Sequence, residues 1–239
     1  MNNKKITTDM KRLTIILLCA VCSVMMVTAR EKVDKIDYTK YLAGAVVEEN
    51  GIVTFTKTFS IKGMEEAQIR SLVLGYIKTT LVGSGIEGNR TRLVDDGKDD
   101  GTMVARVEEW MVFKRGFAYL DATRFRYTVT AKVEGNRVTM KINQISYLYD
   151  ERIGDENKPT GEEGTVYVAE EWIDDAHGLN KKKNRLAKGS GKFRYRTCER
   201  VEKIFDKMMD FFEDEAKEEE AKKLEKPVEV KKRKFITEE

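Results

Sequence analysis

The chain has 239 residues, with 44 Lys and Arg against 41 Asp and Glu, one His, two Pro and three Cys. The net excess of +3 sits in the first 29 residues, where Lys4, Lys5, Lys11 and Arg12 face only Asp9, so the body is balanced at 40 bases and 40 acids. A neutral body argues against the one-sided field of a dedicated nucleic-acid binder, and no nucleic-acid partner is expected. The composition also excludes a His-rich metal site, a disulfide scaffold and a Pro-rich or collagenous fibre.

The chain opens on a basic segment, Met1 to Arg12, followed by an uninterrupted apolar run, Leu13 to Val27, that ends in Val27-Thr28-Ala29. Small residues at the last and third-last positions suit a signal peptidase. The run is shorter than the ~20 residues of a spanning helix. Residues 1–29 are therefore expected to be a signal peptide, with a mature chain from Arg30 and no transmembrane helix after processing. Lipidation at Cys22 is the alternative, disfavoured because Val21 precedes it. Cys19 and Cys22 leave with the leader, and Cys198 shares a helical face with Val201 and Phe205, which predicts a small buried hydrophobe.

Residues 30–42 are polar, and Glu213 to Glu239 holds 18 charged residues of 27, so neither segment is expected to bury a core. Between them, Ile52 to Ile61 alternates apolar and polar residues at period 2, predicting a half-buried strand. From Met64 to Val82, Ile69, Leu72, Val73, Tyr76, Ile77 and Leu81 make a helical stripe. Four strands are predicted next, Thr91–Asp95, Thr102–Lys114, Tyr119–Val133 and Arg137–Tyr149, joined by short turn-forming segments that favour antiparallel hairpins. In the last of these the apolar parity switches between Ile142 and Ile145, predicting a bulge near Asn143 and Gln144. After an acidic loop, Asp150 to Gly164, Ala169 to Leu179 reads as a short helix and Lys192 to about Glu220 as a long one with a continuous apolar face. The expected fold is α+β: a curved antiparallel sheet of about five strands, in the order β-α-β-β-β-β-α-α, covered by helices.

Ala43-Gly44-Ala45-Val46, Val53 to Phe59, Glu108 to Phe113, Leu120 to Arg124 and Ile145 to Tyr149 are similar to a bacterial secreted family known as a domain of unknown function with a TBP-like fold. Ala169-Glu170-Glu171-Trp172-Ile173, with Leu179 to Lys183 and Gly189 to Arg194, is the most specific part of the resemblance, which spans residues 43–212. It implies a TBP-like domain there, between the polar segment 30–42 and a charged tail, 213–239. It implies no activity, and likeness of shape to the TATA-binding protein does not transfer function.

Gly83-Ser84-Gly85-Ile86-Glu87-Gly88 matches G-x-G-x-x-G but follows a helix and precedes a strand, the reverse of a dinucleotide site, and reads as a helix end and turn. Gly189-Ser190-Gly191-Lys192 lacks the upstream Gly and the following Ser or Thr of a phosphate loop. Glu170, Asp174 and His177 at i, i+4 and i+7 would share one face of a helix, so they are the candidate metal ligands, against the simpler reading of a solvated face. Glu108 and Glu109 are adjacent in a strand and point to opposite faces, so they cannot pair as acid and base. No cofactor and no catalytic residue is expected. The one sharp charge feature is Lys181, Lys182, Lys183, Arg185, Lys188, Lys192, Arg194 and Arg196, eight bases without an acid, which could grip a polyanion or an acidic glycan. The preferred account packs them against the acidic segment Asp150 to Asp175.

These readings converge on an exported, non-enzymatic protein in the periplasm or cell envelope of a Gram-negative bacterium. It would bind an unknown envelope protein or glycan, with peripheral membrane contact through the basic tail cluster Lys231-Lys232-Arg233-Lys234. The alternatives are a polyanion- or glycan-binding module at 181–196 and a metal-dependent module at Glu170, Asp174 and His177.

Overall fold

The structure is a computed structural model that describes residues 37–86, 90–115, 120–149 and 164–224. The chain divides into two units, Met1–Asp37 and Tyr38–Glu239, and all of the described strands and helices belong to the second. The expected leader, most of the acidic loop, Gly88 and the basic cluster after Pro227 lie outside the described residues.

A short hairpin pairs β1 (Glu48–Glu49) with β2 (Ile52–Val53). Then come β3 (Phe55–Ser60), α1 (Glu66–Tyr76), β4 (Arg92–Asp96), β5 (Thr102–Arg115), β6 (Leu120–Glu134), β7 (Arg137–Tyr149), β8 (Thr165–Val168) and α2 (Gly191–Leu224). The main sheet runs β3-β7-β6-β5-β4, with β8 also on β7, and every pair is antiparallel. The β6–β7 hairpin needs only two connecting residues, Gly135 and Asn136, and Gly135 takes the left-handed backbone (φ +60°) that such a turn demands.

Period-2 alternation decides which face each side chain takes. In β6, Phe125, Tyr127, Val129, Ala131 and Val133 are buried beneath the two α-helices, while Arg124, Arg126, Thr128, Thr130 and Lys132 line the other face. The apolar stripe of α2, from Phe193 through Val201, Ile204, Phe205 and Met208 to Phe212, packs onto that inner face. Two polar contacts fix the helices within this apolar layer: Tyr76 Oη of α1 donates to Ile204 O of α2 at 2.7 Å, and the Tyr147 and Thr197 hydroxyls meet at 2.6 Å. Each satisfies a hydroxyl that would otherwise be costly to bury.

The parity switch in β7 has the expected cause. Between the pairs Arg126↔Ser146 and Thr128↔Asn143, β6 advances two residues and β7 three. The extra residue allows Ile142 and Ile145 both to reach the core. Gln144 takes up the bulge with a left-handed backbone (φ +52°) and stays exposed.

The structure departs from the sequence expectations in four places. The predicted helix Ala169–Leu179 is only a 3₁₀ turn, Ala169–Glu171, followed by turns. There the Asp174 carboxylate captures His177 N (2.7 Å), a local alternative to helical bonding, and the distant Arg194 takes Ile173 O (2.7 Å), the acceptor that His177 N would have used in a helix. The predicted helix through Val82 widens to a π-turn over Ile77–Val82, with Gly83 N bonded to Lys78 O at 2.9 Å. β8 and the β1–β2 hairpin are absent from the sequence expectations, because strands of two to four residues are too short to show a period. Tyr41, in a segment expected to bury nothing, is 3% exposed and packs edge-on against Tyr195. Among the described residues no helix is long and apolar enough to cross a membrane.

Candidate functional site: the arginine face of the sheet

The sheet face turned away from the helices carries its side chains in register rows. Arg92 of β4 stands opposite Arg106 of β5, which stands opposite Thr128 of β6. In the next row Glu108, Arg126, Ser146 and Val168 are successive cross-strand partners, and in the third Trp110, Arg124, Leu148 and Val166. Trp110 is half exposed, with the Arg124 guanidinium 5.5 Å from its ring centre. Like charges directly opposite on a sheet are destabilising, so the Arg92–Arg106 pair is an arrangement that stability alone does not favour.

One carboxylate organises this face. The side chain of Glu108 is 4% exposed and receives Arg126 Nε at 3.0 Å and Arg124 Nη1 at 3.2 Å, with Arg90 Nε at 3.8 Å. Its backbone is held too: Glu108 N donates to Thr91 Oγ1 at 3.0 Å, and Ile86 N donates to Glu108 O at 2.7 Å. Glu109, the next residue, points the other way and takes a two-pronged contact from Arg200 of α2 at 2.6 and 2.7 Å. Arg126 is only partly satisfied, since its Nη2 is buried without a hydrogen-bond partner. A buried donor left so costs about 1–3 kcal/mol, and more when it is charged.

Beside Glu108 lies a groove of about 400 Å³, lined by Arg90, Arg92, Arg106, Arg126, Thr128, Gln144 and Ser146 with the backbone of neighbouring residues. This volume falls within the ~300–1,000 Å³ of small-ligand pockets. Its walls are rich in donors. The Thr128 hydroxyl bonds the Gln144 side-chain oxygen at 2.8 Å, which leaves the amide nitrogen as the part of Gln144 that can meet a ligand.

The basic stretch singled out from sequence is broken up by the fold. Lys181, Lys182, Lys183, Arg185 and Lys188 are exposed on and just beyond a loop closed by the Leu179–Leu186 bridge. Asn180 braces that loop through Asn184 N (3.1 Å) and Arg185 N (3.3 Å). The other three bases have internal duties. Lys192 bonds both oxygens of Asp121 (2.9 and 2.7 Å), and Arg196 bonds Glu199 (2.7 Å). Arg194 is fully buried, donating to Tyr41 O, Leu42 O, Ile173 O and Asp175. It is therefore a framework residue, corrected from a polyanion candidate, because its planar fork of donors satisfies carbonyls of two separate segments. Pairing with the acidic segment is seen at Asp175, which receives Arg194 at 2.8 Å and lies 4.0 Å from Lys183.

The three metal candidates do not assemble. Glu170 accepts Val53 N at 2.9 Å, while Asp174 is bonded to His177 Nδ1 at 2.7 Å. The predicted helical face that would have united them is absent, and among the described residues no group of three or more His, Cys, Asp or Glu could hold a metal ion.

Cys198 is buried, and burial pushes its thiol up to about 12, outweighing the opposing pull of Arg194. Because the thiolate is the reactive form and gains population only as pH approaches that value, alkylation by iodoacetamide at pH 8 should be at least about 100-fold slower in the native protein than in urea. Equal rates would show that the thiol is open to solvent.

The arginine rows are not among the sites expected from sequence. Their signal is present in part, as the alternation that sets Arg124 and Arg126 opposite Phe125 and Tyr127. Registering Arg92, Arg106 and Glu108 beside them requires the strand pairing.

A single layer of helices on one face of a curved antiparallel sheet, with the other face carrying a groove, is a TBP-like α+β fold. The family described as a domain of unknown function (DUF4468) with TBP-like fold matches residues 55–148, from β3 to near the end of β7. The crystal structure of a DUF4468 family protein from Bacteroides ovatus is 31% identical, over 74% of this chain and 96% of that one, with a TM-score of 0.65. The chain belongs to the DUF4468 family. A TBP-like protein from Parabacteroides distasonis, 18% identical over 71% of this chain and 97% of its own, has a TM-score of 0.54 and shows the likeness of fold. Comparison with curated proteins found no match.

Proposed function

We propose that this protein is an exported, non-enzymatic recognition module of a bacterial cell envelope that holds an acidic partner on the helix-free face of its sheet. The observation that carries this reading is the convergence of Arg90, Arg92, Arg106 and Arg126 on one groove beside a single buried carboxylate, Glu108. Guanidinium groups suit carboxylate, phosphate and sulfate oxygens because their donors match such acceptors in pairs. The basic leader and apolar run up to Ala29 support export. Cys198 is buried and His177 is tied to Asp174, so neither stands at the groove.

A second reading, contact with a polyanion through the loop 181–188, is favoured by its five exposed bases. Chromatography of the purified protein on immobilised heparin separates the two. Arg106→Glu should elute at markedly lower salt, with about 10-fold or greater loss of affinity. The double variant Lys182→Glu, Arg185→Glu should elute close to the unmodified protein. The reverse ranking would move the contact to the loop, and unchanged elution of Arg106→Glu would remove the arginine face from consideration.

A further inference from the structure

We infer that the arginine groove is a pocket for one tetrahedral oxyanion, a phosphoryl group carried by a ligand of about sugar size, and that Gln144 is a specificity-determining donor to it. The inference rests on the recognition of an acidic partner by this face and names the ligand chemistry.

The groove presents donors almost exclusively. Arg106 lines it without a hydrogen bond or ion pair among the described residues. Arg126 holds Glu108 through Nε and has no acceptor for Nη2. Gln144 has its oxygen occupied by Thr128 and keeps its amide nitrogen. The Ser146 hydroxyl completes the set. A wall of donors asks for a ligand that only accepts, and an ionised oxyanion is such a ligand.

The spread of these donors over the sheet selects the shape of the oxyanion. They come from three adjacent strands, β5, β6 and β7, spaced about 4.8 Å apart, so they reach the groove from separate points along one sheet face. A carboxylate offers two oxygens in one plane, whereas a phosphoryl group offers three spread over a tetrahedron and can meet more of these donors at once. The groove, at about 400 Å³, also exceeds what a bare ion fills, leaving room for the group that carries the phosphoryl.

The backbone at Gln144 points to the same place. A left-handed conformation (φ +52°) at a residue with a side chain is uncommon and strained. Glycine would hold the same bulge without strain, so a glutamine there suggests that its side chain has a use. Bulges re-aim side chains, and residues kept in unfavourable conformations cluster at ligand sites. Here the bulge directs Gln144 to the groove wall between Thr128 and Ser146.

The test is isothermal titration of the purified protein with glucose 6-phosphate, glucose, glucuronate and inorganic phosphate, repeated with Gln144→Gly and Arg106→Glu. Glucose 6-phosphate should bind measurably and glucose should not. Glucuronate should bind at least about tenfold more weakly than glucose 6-phosphate, because a planar carboxylate meets fewer of the donors. Gln144→Gly should weaken glucose 6-phosphate binding about tenfold while its thermal midpoint stays within ~2 °C of the unmodified protein or rises, since glycine relieves the left-handed strain. Inorganic phosphate binding as tightly as the sugar phosphate would support the oxyanion pocket and make the free ion its ligand. Glucuronate equal to glucose 6-phosphate, full affinity in Gln144→Gly, or no binding of either phosphate would overturn the proposal. Should the phosphates fail while heparin retention still depends on Arg106, the acidic-partner reading stands without this pocket; loss of both removes it as well.

Discussion

Arg194→Ala is expected to lower stability by ~3–5 kcal/mol, the loss typical when one partner of a buried charged network is removed. At ~2–4 °C per kcal/mol for a domain of this size, the thermal midpoint followed by circular dichroism should fall by roughly 10 °C. The Arg194 side chain has no solvent exposure, and its fork closes four contacts: Nε to Tyr41 O (2.7 Å), Nη1 to Ile173 O (2.7 Å), and Nη2 to Leu42 O (2.6 Å) and Asp175 Oδ1 (2.8 Å). Removing it strands three carbonyls and opens a cavity beneath α2. Arg194→Lys should recover less than half of the loss, because a single ammonium cannot reach acceptors on two segments in the guanidinium plane. The same change frees the segment around Tyr41 and Leu42, so trypsin should cleave after Lys40 faster than in the unmodified protein. A midpoint shift under ~2 °C would mean that Arg194 does not tie these segments together.

The second large effect is expected at Glu108. Glu108→Gln preserves shape but leaves Arg124 and Arg126, with side chains 21% and 14% exposed, facing one another without a counter-charge. The expected cost is about 2–3 kcal/mol, below the full buried-pair value because both guanidinium groups keep some contact with water. This loss should be partly reversible by ligand. An anion that binds only the folded state stabilises it by mass action, so phosphate should raise the midpoint of Glu108→Gln more than chloride at equal ionic strength. A variant as stable as the parent would show that the arginines disperse into solvent, and identical responses to the two salts would show that the face has no selectivity for oxyanions.

Much of this architecture is readable in the residues because the sheet has two dissimilar faces. Val129, Ala131 and Val133 alternate with Thr128, Thr130 and Lys132 so regularly that strand, face and burial follow together, and the phase slip between Ile142 and Ile145 locates the bulge. The apolar stripe from Phe193 to Phe212 likewise marks the long helix. Where the alternation is too short to count, at β8, or where local hydrogen bonds compete with helix, at Asp174 and His177, periodicity fails as a guide. The basic stretch shows the same boundary from the side of function. Eight bases in sixteen positions look like one patch, yet Arg194 turns into the interior and Lys192 and Arg196 turn to Asp121 and Glu199.

Local pattern thus set the longer strands and helices and the faces they bury, because burial against one layer of helices acts residue by residue along each strand. The assembly of the arginine groove was settled at a longer range. Arg92, Arg106, Arg126 and Gln144 lie far apart in the chain and gather only through the register of four strands, and a one-residue slip in any pairing would turn a side chain to the other face. No periodicity within a single strand carries that register, because it is fixed by the hairpin turns and the bulge acting together, and so the site became visible only in the folded protein.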